Sequence, residues 1–198
     1  IACMRDCLTI VDKEGEALRP LILWLDQRRT SVVRPDNKLL LLGASLLGAG
    51  TLLREASQVG YTNYLMDYEK DLWEKAEKFV FLSGYLHRWL LGFFLDCTAN
   101  QPGDVPFDSA RQQRSDWRDI KYYVFPVEKE KLVPLVPPGT IMGTLSAKAA
   151  EEMGLSTRVK VIAGASDKAC ETLGVGCVDD TEAVLSFGSQ ATVQTMSR

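Results

Sequence analysis

The final third of the chain most constrains what it can fold into, because there short apolar runs alternate with helix-forming stretches, two of them ending in glycine. Thr140 to Leu145 reads as a strand, and Ser146 caps a helix that runs through Met153 and closes at Gly154. Val159 to Ala163 is apolar except for Lys160, the pattern of a mostly buried strand. Asp167 to Leu173 reads as a helix closed by Gly174, and Ala183–Phe187 and Ala191–Thr195 as strands joined across Gly188-Ser189-Gln190. Strands alternating with helices imply an α/β protein.

The upstream two thirds fit that class with less regularity. Cys7 to Val11, the turn Asp12-Lys13-Glu14-Gly15 and Leu21 to Leu25 read as a β-hairpin. Leu39 to Ala56 reads as one helix, and Tyr68 to Phe79 as a second with Trp73 and Ala76 on its apolar face. Ser83 to Leu91 is a third, closed by Gly92. Gln101 to Gln113 reads as loop, and Pro126, Pro134, Pro137 and Pro138 mark an extended connection. Apolar residues continue through it, so no domain boundary is expected.

Composition narrows the partners. The 198 residues carry a net charge of −3, which gives no basic surface for nucleic acid or an anionic membrane. The longest apolar stretch, Leu39 to Leu53, is interrupted by glycines and is shorter than the roughly 20 residues of a membrane span. The five cysteines have no zinc-ligand spacing, so no metal site is expected and reduced thiols in a cytoplasmic protein are. The chain opens on Ile1 and closes just after a strand-like run, which is the expectation for a fragment.

Four segments carry chemistry. Gly164-Ala165-Ser166-Asp167 follows a strand and opens a helix, so Asp167 lies where α/β sheets bind ligands; it is either a general base or a helix cap. The turn Gly188-Ser189 between two strands offers N–H groups and a hydroxyl to a phosphate, or is a plain hairpin turn. Trp24 with Asp26 at a strand end suits a sugar's C–H face and hydroxyls, or is a core tryptophan beside solvated charges. Arg5-Asp6 sits one strand away and is either a grip for two hydroxyls or a surface ion pair.

Taken in order, five segments resemble the FGGY family of carbohydrate kinases: Leu18-Arg19-Pro20-Leu21-Ile22-Leu23-Trp24-Leu25-Asp26-Gln27-Arg28, Trp73 through Leu86, Pro134 to Gly143, Gly164 to Gly176, and Ser186 to Ala191. The resemblance implies an actin-like (ribonuclease H-like) α/β kinase domain, incomplete here. Residues 1–198 would be a partial N-terminal domain, without the family's first strands, whose D-x-G-T phosphate loop has no counterpart in the sequence, and without the C-terminal domain. It implies phosphorylation of a small sugar or polyol, such as a ketopentose, by ATP with Mg²⁺, and a fragment inactive alone. A non-catalytic sugar-binding or regulatory member of the fold is the alternative. It assigns Asp167 as catalytic base, Arg5, Asp6, Trp24 and Asp26 to the substrate, and Gly188 and Ser189 to the ATP phosphates. Homodimerisation is compatible with it.

Overall fold

The computed structural model describes residues 1–34, 38–101, 105–188 and 190–196, apart from the side chain of Leu40. Strand β1 (Leu8–Val11) pairs antiparallel with β2 (Lys78–Phe81), Leu8 opposite Phe81 and Val11 opposite Lys78. On its other edge β1 receives the returning limb of the expected hairpin, with antiparallel bridges at Leu8–Ile22 and Val11–Ala17. Gly15 turns the chain at φ 88°, its N–H donating to Asp12 O at 3.1 Å. Only Ile22 of the expected strand 21–25 joins β1. Pro20 has no N–H to offer a ladder, and the chain turns at once, Asp26 N donating to Leu23 O at 2.9 Å.

The expected single helix 39–56 is two, α1 (Lys38–Leu46) and α2 (Gly50–Val59). Gly48 adopts φ 76° and ends the first, and a Cβ on Gly50 would run into Ser45, so the second doubles back closely on the first. The expected helix 68–79 is also divided. Helix α3 (Tyr61–Tyr68) and α4 (Lys70–Lys75) precede β2, which claims Phe79. Phe79, Val80 and Phe81 gain more by burial on both faces of β1's sheet than by continuing a helix, a tertiary override of local pattern.

Helix α5 (Leu82–Leu91) ends at Gly92 in the left-handed conformation, as expected. Strand β3 (Asp96–Cys97) follows, and the loop region holds a small hairpin of β4 (Phe107–Asp108) and β5 (Gln113–Arg114). After α6 (Ile120–Val124), β6 (Leu135–Val136) lies parallel to β3. Strand β7 (Ile141–Thr144) pairs antiparallel with β8 (Lys160–Ile162) around α7 (Ala147–Met153), which Ser146 caps by accepting from Ala149 N at 3.1 Å. The expected burial of the Val159–Ala163 strand is only half met. Val161 is buried, whereas Ile162 is 50% exposed. The hairpin β9 (Ala183–Phe187)–β10 (Ala191–Thr195) forms as expected, whereas helix α8 (Asp167–Gly174) runs through Gly174 instead of closing there, and the left-handed turn falls at Gly176, φ 88°.

The main core lies between β1–β2 and α3–α4, where Leu8, Ile10, Ile22, Leu65, Trp73, Phe79 and Phe81 interlock. A second core under α7 joins Leu91, Cys97, Met142, Ala149 and Val161. Each fully buried large apolar side chain contributes about 1.5–3 kcal/mol, so the first core is what fixes the early segments in place.

Candidate active site

Asp167 is the first residue of α8. The helix is capped by its predecessor: Ser166 is extended and its Oγ accepts from Ala169 N at 3.3 Å. The capping reading of Asp167 is therefore displaced by Ser166. The Asp167 carboxylate is exposed, and its Oδ1 accepts from Lys168 N at 2.9 Å. The first residues of the chain run beside it. Cys3 bridges Ser166 in parallel, and Asp167 N donates to Cys3 O at 3.0 Å. Gly164 allows this approach, since a Cβ there would collide with the carbonyl of Ile1.

Arg5 and Asp6 continue from Cys3. Arg5 is exposed, and Asp6 has φ 58°, a left-handed conformation that aspartate tolerates better than most residues. Desolvation raises the Asp6 carboxyl above its ordinary range, with Arg5 partly offsetting it. Trp24 is half-buried in the turn that follows Ile22, whose N–H and carbonyl pair with Leu8 next to Cys7. Burial pushes the Cys7 thiol up, and the charges of Asp6 and Asp167 add to the rise. The structure thus gathers Arg5, Asp6, Trp24 and Asp167 around the Cys3–Cys7 segment.

Asp26 is engaged internally. Arg28 Nε donates to its Oδ1 at 3.0 Å and Oδ2 at 2.8 Å, and Arg28 N to Oδ1 at 2.9 Å, which holds the carboxyl below the ordinary range. Arg28 also lies over the Tyr64 ring, 5.5 Å from its centroid.

Residues that sequence reasoning passed over support this arrangement. The Tyr61 hydroxyl faces the carbonyls of Asp26, Leu23 and Trp24 at 3.1, 3.3 and 3.5 Å and tethers the Trp24 turn to α3. Asp96 is fully buried and accepts from Ser83 Oγ at 2.9 Å, Cys97 N at 2.7 Å and Gln101 Nε2 at 3.2 Å, with His87 Nδ1 3.3 Å away. The charge of Asp96 reaches the Cys3 thiol, so this network stands behind the Cys3 segment. Burial, and after it the charge of Asp96, pushes the Cys3 thiol up to about 11.

On the other side of Asp167 stands the β9–β10 turn. Gly188 is exposed at its tip, and its N–H meets Gln190 O at 3.3 Å. Ser189 lies outside the described residues. Lys168, Glu171 and Ser186 fill the space between helix and hairpin: Lys168 Nζ donates to Glu171 Oε2 at 2.8 Å and to Ser186 Oγ at 2.6 Å, and Ser186 Oγ donates to Glu171 Oε1 at 2.8 Å. The i, i+3 spacing of Lys168 and Glu171 was visible in sequence, but the role of Ser186 was not. Among the described residues no group of three His, Cys, Asp or Glu could hold a metal, and no helix is long and apolar enough to cross a membrane.

Residues 1–174 match the N-terminal domain of the FGGY family of carbohydrate kinases. The chain is similar to xylulose kinase from Escherichia coli (strain K12), 26% identical over 185 residues that cover 91% of this chain and 36% of that protein. It thus spans about a third of the length of the curated relatives it matches. Its fold resembles that of xylulose kinase from Rhodospirillum rubrum (TM-score 0.75, 18% identity, 97% of this chain and 40% of that one). It also resembles Plasmodium falciparum glycerol kinase with ADP (TM-score 0.69, 15% identity, 98% of this chain and 39% of that one).

Proposed function

Because the chain belongs to the FGGY family of carbohydrate kinases, we propose that it supplies the sugar-binding residues and the catalytic base for ATP-dependent phosphorylation of a small sugar or polyol, a ketopentose above all. The observation that carries this reading is the bond from Asp167 N to Cys3 O, which sets an exposed carboxylate beside the segment that runs on to Arg5-Asp6. Xylulose kinases among the relatives and structural neighbours support the sugar class, and the ADP-bound glycerol kinase supports the nucleotide.

In this reading Arg5 and Asp6 hold substrate hydroxyls, the Trp24 ring meets the sugar's C–H face, and Asp26 orders the turn as well as facing the substrate. Asp167 takes the proton of the reacting hydroxyl while the new O–P bond forms and the bond from phosphorus to the ADP oxygen breaks. Gly188 and Ser189 face the phosphates. ATP, when bound, supplies the phosphoryl group, and Mg²⁺ is proposed to arrive with it, because the described residues offer no cluster that would hold the metal unaided. Residues 1–198 are proposed to be part of an N-terminal kinase domain. Their sequence has no D-x-G-T phosphate loop, so by themselves they bind sugar without turnover.

Calorimetric titration of the chain with ribulose, xylulose, ribitol, arabitol and glycerol, with ADP release followed in parallel, tests this. The expected result is saturable binding of at least one of these, retained in Asp167→Asn, with no sugar-dependent ADP release. Binding of none of the five would overturn the sugar reading. Efficient turnover by the chain would overturn its proposed incompleteness.

A further inference from the structure

The helix that opens with Asp167 and the hairpin that carries Gly188 share no backbone ladder. Strand β9 pairs only with β10 among the described residues, and an isolated two-stranded hairpin is marginal by itself. The hairpin also has little apolar attachment: Leu185 is 63% and Phe187 82% exposed. What crosses the seam is polar.

Ser186, buried on the inner face of β9, accepts from Lys168 Nζ at 2.6 Å and donates to Glu171 Oε1 at 2.8 Å. Lys168 closes the triangle on Glu171 Oε2 at 2.8 Å. The hydroxyl accepts one hydrogen bond and gives its single hydrogen to the next group, so the three groups form one closed circuit. A Lys–Glu pair at i, i+3 on a helix surface is worth little by itself. Inserting a serine from another element turns that pair into a tie between elements. One turn along, Thr172 Oγ1 has one hydrogen shared between Gln194 Oε1 of β10 at 2.5 Å and Lys168 O at 2.8 Å, so the second contact is the weaker tie.

The placement of the circuit gives it a role. Lys168 adjoins Asp167, and Ser186 stands two residues before Gly188. We propose that Lys168 is a positioning residue: through Ser186 and Glu171 it fixes the spacing between the Asp167 carboxylate and the turn at Gly188. The names of the two ends, base and phosphate turn, rest on the proposed function; the tie does not. Such spacing matters because phosphoryl transfer depends chiefly on placement, and a misplacement of about 1 Å can cost on the order of 100-fold in rate.

Amide hydrogen exchange of the chain, resolved by residue, tests the tie. Lys168→Met and Ser186→Ala are each expected to raise exchange of Ala183–Phe187 and Ala191–Thr195 by about tenfold or more, the effect of losing a charge-assisted hydrogen bond. Amides of α5 should not change. Lys168→Arg keeps donors for both partners and should restore protection. Unchanged hairpin exchange in Lys168→Met and Ser186→Ala would overturn the proposal, as would failure of Lys168→Arg to restore it. Turnover by the longer kinase of which the chain is proposed to be part then separates the two claims. Lys168→Met and Ser186→Ala should each lower its kcat by about 100-fold with the sugar KM unchanged, and Lys168→Arg should restore it. An unchanged kcat in both variants would overturn the positioning role. No sugar-dependent turnover in the wild type would overturn the proposed function, with the tie still judged by exchange in the chain.

Discussion

The two sides of Asp167 are built in opposite ways. Toward Trp24 the segments lie on or against a packed apolar core, and desolvation raises Cys3, Asp6 and Cys7, while Asp26 at the rim is held down by Arg28. Toward Gly188 the contacts are polar and open to water, and hydrogen bonds from Lys168 and Ser186 hold Glu171 below the ordinary carboxylate range. The first side is fixed by burial, which is non-directional, strong and little affected by salt. The second is fixed by direction and charge, which specify geometry sharply but yield to acid, salt or loss of one atom. In the proposed reaction the substrate side must hold a shape, while the phosphate side must meet a changing charge. The division suits both.

The largest expected effect breaks the buried side. Phe79→Ala removes a side chain only 2% exposed from the main core and is expected to cost about 3–5 kcal/mol in denaturant unfolding. A comparable loss from Ser186→Ala would erase the contrast between the two sides. Next, the Cys3 thiol at about 11 should alkylate slowly. Near pH 8 its thiolate is about 100-fold scarcer than that of an ordinary solvent-exposed thiol, and iodoacetamide labelling followed by mass spectrometry should show it lagging far behind an unstructured cysteine peptide. Labelling at the peptide's rate would mean the Cys3 segment is wet.

Tyr61→Phe is expected to cost about 1 kcal/mol of stability and to weaken sugar binding while leaving the core intact. Unchanged sugar affinity would separate the Trp24 turn from the substrate. The smallest effect is the acid response of the polar side. A carboxylate whose folded value is depressed gives support that is present above its unfolded value and lost as pH falls through the folded one. The Glu171 circuit should therefore persist through the ordinary carboxylate range and open only below it, read by carboxyl-carbon NMR of Glu171 alongside hairpin exchange. Lys168→Met should move that opening up toward the ordinary range.

Segments whose structure is set locally were legible in the sequence. Gly92 and Gly154 ended their helices where expected, Ser146 capped its own, and the β9–β10 hairpin formed around its turn. Segments decided by distant partners were not. Apolar spacing from Leu39 to Ala56 gave no sign that Gly48 would take a left-handed turn, and the helical pattern before Phe79 lost to pairing with β1 nearly seventy residues away in sequence. The candidate site divides along the same line. Asp167, Trp24 and Arg5-Asp6 stand in recognisable segments. Tyr61, Asp96 and Ser186 act through contacts that no local pattern encodes: a hydroxyl meeting carbonyls 35 to 38 residues away, a buried carboxylate, and a serine reached by a lysine 18 residues before it.

The Tyr61 hydroxyl has one hydrogen to give, and three carbonyls stand within its reach. At any instant two of those oxygens look elsewhere for a donor, and the hydroxyl rotor can change its choice within nanoseconds. The Trp24 turn is therefore moored by a swivel. A carbonyl drawn aside by an incoming hydroxyl leaves the mooring intact, because the proton passes to one of the other two. In the proposed reaction, tolerance of this kind would let one turn accommodate sugars that differ in the handedness of a single carbon, at the expense of telling them apart.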